Sequence, residues 1–128
     1  MVLDSSAIIA IELQEPGFER LLDKVGDAKA VVIGVPTMFE TAMVLSRRRG
    51  QDARPWLRGF LRSVEAEAIP FTGEHLDAAM DAFLRFGKGR HRAALNFGDC
   101  MAYAVAAVAG MPLLYAGNDF AQTDIPAA

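Results

Sequence analysis

The chain has 128 residues with a formal net charge of −3, 52% hydrophobic and 23% charged residues and a single cysteine. This length suits one domain over residues 1–128, burying roughly two-thirds of the surface its unfolded chain would expose, and one thiol excludes an internal disulfide. The acidic balance argues against a uniformly basic nucleic-acid binder. No apolar run approaches the roughly 20 residues of a membrane span, and no leader pattern is seen, so a soluble cytoplasmic protein is expected.

Short apolar runs alternate with helical periods. Met1–Leu3 ends at Asp4, and Ser5 or Ser6 is placed to cap a helix carrying Ala7, Ile8, Ile11 and Leu13, which Pro16–Gly17 closes. A short helix is expected near Phe18–Lys24. The β-branched run Ala30–Val35, bounded by Gly26–Asp27 and Pro36, predicts a buried strand. Thr37 then opens a helix that Gly50 closes. Asp52 caps the next helix, with Pro55 early, where a missing N–H does least harm, and Trp56, Leu57, Phe60, Leu61 and Val64 at helical period. Ala68–Phe71, broken by Pro70, predicts an edge strand. From Thr72 or Gly73 a helix runs to about Phe86, with Leu76, Ala79, Met80, Phe83 and Leu84 facing inward. Gly87–Leu95 has no apolar period and reads as an exposed loop. Asp99 begins an alanine-rich helix ending at Gly110, Pro112–Tyr115 is a last strand, and Gly117–Asn118 a turn. Strands alternating with helices imply an α/β domain, a parallel sheet of four to five short strands covered on both faces.

The basic residues are bunched. Arg47, Arg48 and Arg49 are followed by Arg54, Arg58 and Arg62, while Arg85, Lys88, Arg90, His91 and Arg92 form a glycine-threaded group. The plain expectation for both is a solvated helix face and a solvated loop.

Four acids stand at element junctions. Asp4 follows the first strand, Glu40 falls in the first turn of the helix after the second, Asp99 opens the alanine-rich helix, and Asp119 lies past the final strand. In an open parallel sheet, strand C-termini and helix N-termini gather along one edge, where ligands bind. Each acid has an ordinary structural explanation: Thr37–Glu40 has the form of a capping box, Asp99 suits an N-cap, and Asp119 suits a turn. Two carboxylates about 5 Å apart, however, repel by roughly 3 kcal/mol at an effective dielectric of about 20, whereas a cap contributes only about 1 kcal/mol. Capping therefore cannot account for a cluster, if the fold forms one, but a hard divalent cation can, and oxygen-only donors suit Mg²⁺ or Mn²⁺. His75, His91 and Cys100 lack zinc spacing.

Val2-Leu3-Asp4-Ser5-Ser6-Ala7, Pro36-Thr37-Met38-Phe39-Glu40, Asn96-Phe97-Gly98-Asp99-Cys100-Met101-Ala102-Tyr103-Ala104, then Pro112–Tyr115, Gly117-Asn118-Asp119-Phe120 and Thr123-Asp124 occur in that order. This succession resembles the PIN-domain toxins of the VapC type over essentially the whole chain. The resemblance implies a three-layer α/β/α PIN-like domain with Asp4, Glu40, Asp99 and Asp119 as its catalytic and metal-binding acids, Asp4 and Asp99 foremost as direct ligands. Ser6, Asn118 and Thr123 are candidate supporting residues. Many relatives carry another acid at the position of Asn118, and the amide here lowers the local negative charge that a second metal ion would need. Asp124 is read as structural.

The resemblance further implies a toxin endoribonuclease that uses Mg²⁺, with Mn²⁺ as the alternative, to activate a water against an RNA phosphodiester, and a VapB-like antitoxin as partner. It also implies a homodimer, and a heterotetramer or larger assembly with the antitoxin. Arg85, Lys88, Arg90 and Arg92 are candidate RNA contacts. Two competing functions are a catalytically silent PIN-like module binding RNA or protein, and an aspartyl phosphotransfer domain with Asp4 as nucleophile. The second lacks an acid two residues on, where Ser6 stands, and an evident lysine beside the last strand.

Overall fold

The computed structural model describes all residues from Met1 to Ala128. In chain order the elements are β1 (Val2–Leu3), α1 (Ser5–Glu12), α2 (Phe18–Gly26), β2 (Val32–Gly34), α3 (Val35–Arg49), α4 (Arg54–Ser63), β3 (Glu67–Ile69), α5 (Gly73–Phe86), α6 (Phe97–Ala109) and β4 (Leu113–Leu114), followed by a 3-10 turn at Phe120–Gln122. The four strands are parallel in the order β3-β2-β1-β4. β3 is an edge strand, as expected, but it covers Glu67–Ile69 and stops before Pro70 instead of running through it to Phe71.

Alternation along strands only two or three residues long divides the interior. Val2, Val32 and Leu113 point to one face and join Ala82, Phe86, Ala102, Tyr103 and Val105 of α5 and α6. Leu3, Ile33 and Leu114 point to the other and join Ala7, Ile8, Val25, Leu57 and Leu61 of α1, α2 and α4. The result is the three-layer α/β/α arrangement, with the sheet sealed on both faces. Succession runs β1 to β2 to β3 in one direction and then returns to the opposite side of β1 for β4. The switch point of the sheet thus lies at the carboxyl ends of β1 and β4.

Several local expectations are corrected. Asp4, not Ser5 or Ser6, is the N-cap of α1, and that helix ends at Glu12, well before Pro16–Gly17. The second strand is confined to Val32–Gly34. The helix after it starts at Val35 rather than Thr37, capped by Gly34 with Pro36 inside its first turn, so the Thr37–Glu40 capping box does not form. A proline there needs no donor of its own, which lets the helix begin earlier than Pro36 suggested. Gly34 also admits α6: a Cβ at this position would lie 2.8 Å from Cγ2 of Val105. Asn96 caps α6, and Asp99 is its third residue rather than its cap.

The helix over Gly73–Phe86 is present, but its inward face is not the expected one. His75, Ala79, Ala82 and Phe86 are buried, while Leu76, Met80, Phe83 and Leu84 are exposed. Two stripes run along α5, and the buried one, with Ala79 and Ala82 between His75 and Phe86, packs against α6. The other lines an open apolar groove of about 420 Å³ with Phe97, Cys100 and Met101. Gly87–Leu95 is also less exposed than expected. Ala93 and Leu95 are buried, and the segment folds back on itself through Lys88 N–H to Leu95 O at 3.0 Å and Leu95 N–H to Phe86 O at 3.0 Å.

Candidate active site

The four acids line one cleft of about 390 Å³ at the switch point, together with Ser5, Ser6, Glu15, Asn96 and Arg48. Each acid arrives by a different local device. Asp4 leaves β1 with its backbone N–H on Leu114 O at 2.9 Å. Its Oδ2 accepts from the Ser6 N–H at 2.9 Å and from the Ser6 hydroxyl. The Ser6 hydroxyl oxygen in turn accepts the Ala116 N–H at 3.0 Å, which ties the turn after β4 to the start of α1. Asp99 is fixed by a reciprocal capping box: Asn96 N–H donates to its Oδ2 at 2.8 Å, and its own N–H donates to Asn96 Oδ1 at 2.9 Å. Glu40, in the second turn of α3, rests on α6, where a Cβ built on Gly98 would fall 2.4 Å from Oε1. Asp119 stands exposed at the head of the 3-10 turn with no cap hydrogen bond.

Burial and mutual repulsion set the electrostatics. Asp4 is only 2% exposed, and its carboxyl is pushed up to about 6, first by burial, against the Ser6 hydrogen bonds, with the charges of Asp99 and Glu40 adding to the rise. Burial raises Glu40 as well, with the Ser5 hydroxyl opposing and Asp99 reinforcing. Asp99 is raised by burial, opposed by the Asn96 N–H and reinforced by Asp119. Glu40, Asp4, Asp99 and Asp119 therefore form a continuous chain of interacting charges.

Asp4 Oδ1 is buried with no hydrogen-bond partner, an arrangement that is costly for a carboxylate unless something positive faces it. The donors are all hard oxygens, which fits a small divalent cation. No group of three or more His, Cys, Asp or Glu side chains is placed to hold a metal ion by itself. A cation there would have to rely on one or two of these carboxylates and keep several waters, as Mg²⁺ does.

The other expected residues divide. Ser6 is in the cleft and orients Asp4. Asn118 is exposed and does not line it. Thr123 donates to Phe120 O at 2.8 Å and accepts the Ile125 N–H at 3.2 Å, so it shapes the C-terminal turn outside the cleft. Asp124 is structural, as read from the sequence, bridging Arg85 at 2.6 Å and the Tyr103 hydroxyl at 2.6 Å. Of the basic group, Arg85 is thereby engaged, Arg90 lies over the Phe83 ring, Lys88 borders the apolar groove, and none of them or Arg92 lines the acidic cleft. The residues that sequence reasoning missed are Asn96, Glu15 and Arg48. Asn96 carried a signal in the Asn-x-x-Asp spacing of a capping box, whereas Arg48 had none beyond its triplet.

Comparison with known proteins gives the same architecture. A family model described as PIN domain matches residues 1–126. A ribonuclease named VapC36 from Mycobacterium tuberculosis is 43% identical over 126 residues, covering 98% of this chain and 91% of that protein. A ribonuclease VapC from Mycolicibacterium smegmatis is 40% identical over 127 residues, covering 99% and 98%. Among solved structures, M. tuberculosis VapC20, described as a sarcin-ricin loop cleaving toxin, superposes with a TM-score of 0.77 at 18% identity over 99% of this chain and 97% of that one. A toxin–antitoxin complex from Klebsiella pneumoniae gives 0.70 at 18% identity, over 96% and 92%. The family match over residues 1–126 and full-length identity at this level place the chain in the PIN-domain family, among the VapC ribonucleases.

Proposed function

We propose that the chain is a Mg²⁺- or Mn²⁺-dependent endoribonuclease, the toxin of a toxin–antitoxin pair, with Asp4, Glu40, Asp99 and Asp119 as its working acids. The observation that carries this reading is the buried, unpartnered Oδ1 of Asp4 beside three further carboxylates at the switch point of the sheet. The names of the full-length relatives support RNA as the substrate.

Asp4 and Asp99 would hold the cation, each already oriented through its other oxygen by Ser6 and Asn96. When bound, the cation supplies a water of lowered pKa and offsets charge on the phosphodiester. Glu40, held against Gly98, or Asp119, free at the rim, would orient a water and receive its proton. No histidine or lysine lines the cleft to share that role.

A VapB-like antitoxin is the proposed partner, supported by the family and by the structural likeness to a toxin–antitoxin complex. Phe39, Met43, Leu76, Met80 and Phe97 form an exposed apolar surface, with Phe97 80% exposed. A surface of that kind supports association with a further protein chain, either a second copy or the antitoxin. No helix is long and apolar enough to cross a membrane.

The test is cleavage of RNA by purified protein with Mg²⁺, Mn²⁺ or EDTA. Cleavage that EDTA abolishes and Asp99→Asn removes is expected. Metal-independent cleavage, or full activity of Asp99→Asn, would reject the assignment.

A further inference from the structure

We propose that Arg48 is the phosphate-binding residue of the acidic cleft, taking a backbone phosphate of the bound RNA strand next to the one that is cut. The inference rests on the nuclease assignment above and adds to it a residue outside the four acids.

Glu40, Val44 and Arg48 recur at four-residue intervals along α3, on one ridge of the helix, and all three line the cleft. Glu40 stands at the inner end beside Gly98, and Arg48 stands two turns further out. Arg48 is the sole cationic side chain on the cleft wall. It is also free. The ion pairs of the molecule are Arg49 with Glu12, Arg54 with Asp52 and Arg85 with Asp124, so the arginine triplet divides into one residue engaged by Glu12, one in the cleft, and Arg47 outside it. Asp4, Glu40 and Asp99 take their shifts from burial, local hydrogen bonds and neighbouring acids, with no contribution from Arg48. A cation that stands among carboxylates without serving as their counter-ion is available to an incoming anion.

The need for such a group is electrostatic. Asp4, Glu15, Glu40, Asp99 and Asp119 leave the cleft net negative even with one divalent ion among them, which opposes a polyanion. A planar guanidinium can meet phosphate oxygens bidentately, and an uncommitted one loses no internal ion pair in doing so.

Binding can be read without cleavage. In the Asp99→Asn background with Mg²⁺, a labelled mixed-sequence single-stranded RNA is titrated over a salt series against Arg48→Ala, Arg48→Lys and Arg47→Ala. Arg48→Ala should weaken binding about ten-fold and reduce the slope of log K against log salt by about 0.7. Arg48→Lys should keep the slope and regain only part of the affinity. Arg47→Ala removes the same charge one residue away and should change both far less. With Asp99 intact, Arg48→Ala should raise KM more than it lowers kcat. Equal losses in Arg47→Ala and Arg48→Ala, an unchanged slope, or no RNA binding by the parent protein would each overturn the proposal. A wild-type protein that cuts no RNA would reject the nuclease assignment, while the binding series would still decide the role of Arg48.

Discussion

The carboxylate of Glu40 lies directly over the Cα of Gly98, so close that a methyl group there would stand 2.4 Å from Oε1 and 2.5 Å from Oε2. Gly98 is the second residue of α6, where no unusual backbone angle requires glycine. Its missing side chain is the space that Glu40 occupies.

Gly98→Ala should therefore separate folding from activity. Alanine favours helix by up to about 1 kcal/mol over glycine, and the obstructing atoms are the far end of a flexible side chain, so the melting temperature should hold or rise. Glu40 must move on the order of 1 Å to reach ordinary contact, a displacement able to cost about 100-fold in rate. Thermal unfolding and cleavage rates on the same preparation check this, and a destabilised but fully active variant would contradict it.

Asp4 makes the metal-free protein sensitive to pH. Its folded pKa of about 6 lies above its ordinary 3.8, so the folded state holds the proton more tightly. Its contribution is intact below about pH 4 and is lost as pH rises through about 6, a change of roughly 3 kcal/mol. Asp4→Asn removes that ionisation but leaves an amide nitrogen where Oδ1 had no partner, at a cost of about 1–2 kcal/mol. In EDTA the variant should be about 1–2 kcal/mol more stable than wild type at pH 7.5, with the gain gone near pH 4. Denaturant melts at both pH values measure it, and a loss of stability at pH 7.5 would show Asp4 to be only a helix cap.

Cation binding should appear as stabilisation. At a free Mn²⁺ concentration 100 times its Kd, wild type should gain about 2.7 kcal/mol. The gain should shrink in Asp99→Asn and in Asp119→Asn, both followed by thermal unfolding with EDTA or Mn²⁺. An equal shift in all three proteins would place the ion elsewhere.

Tyr103 offers a contrasting control. Its hydroxyl donates to Asp124 at 2.6 Å, and Arg85 holds the other oxygen of that carboxylate. Tyr103→Phe should cost about 1 kcal/mol in unfolding free energy and leave cleavage unchanged, since none of the three residues lines the acidic cleft.

The convergence of Asp4, Glu40 and Asp119 on one cleft was legible in the sequence as a possibility, because a parallel sheet sends every strand end to the same edge. Asp99 follows no strand and was marked instead by its helix start and by the family resemblance. The devices that hold them were read less well. Thr37–Glu40 has the spacing of a capping box, but Gly34 and Pro36 start the helix earlier and turn Glu40 toward α6 instead. Along α5 periodicity could not choose between the stripe through His75, Ala79, Ala82 and Phe86 and the one through Leu76, Met80 and Phe83, because both carry apolar residues and only packing against α6 selects the first. Arg48 resembled its neighbours until Glu12 was seen to engage one of them. The glycine-threaded cations looked available because the sequence does not show that Asp124, the Phe83 ring and the apolar groove lie against them.

The position of β1 between β2 and β4 has a consequence for how the protein is born. Synthesis delivers Asp4 long before Asp119, and the central strand must wait for Leu113–Leu114 before its second edge is filled. A nascent chain that has emerged only as far as Gly110 already carries Asp4, Glu40 and Asp99, but lacks the Ala116 N–H that closes onto Ser6. Contacts of this sequence separation form late. A chain terminated after Gly110 should therefore be inert in the same cleavage assay, despite carrying three of the four acids.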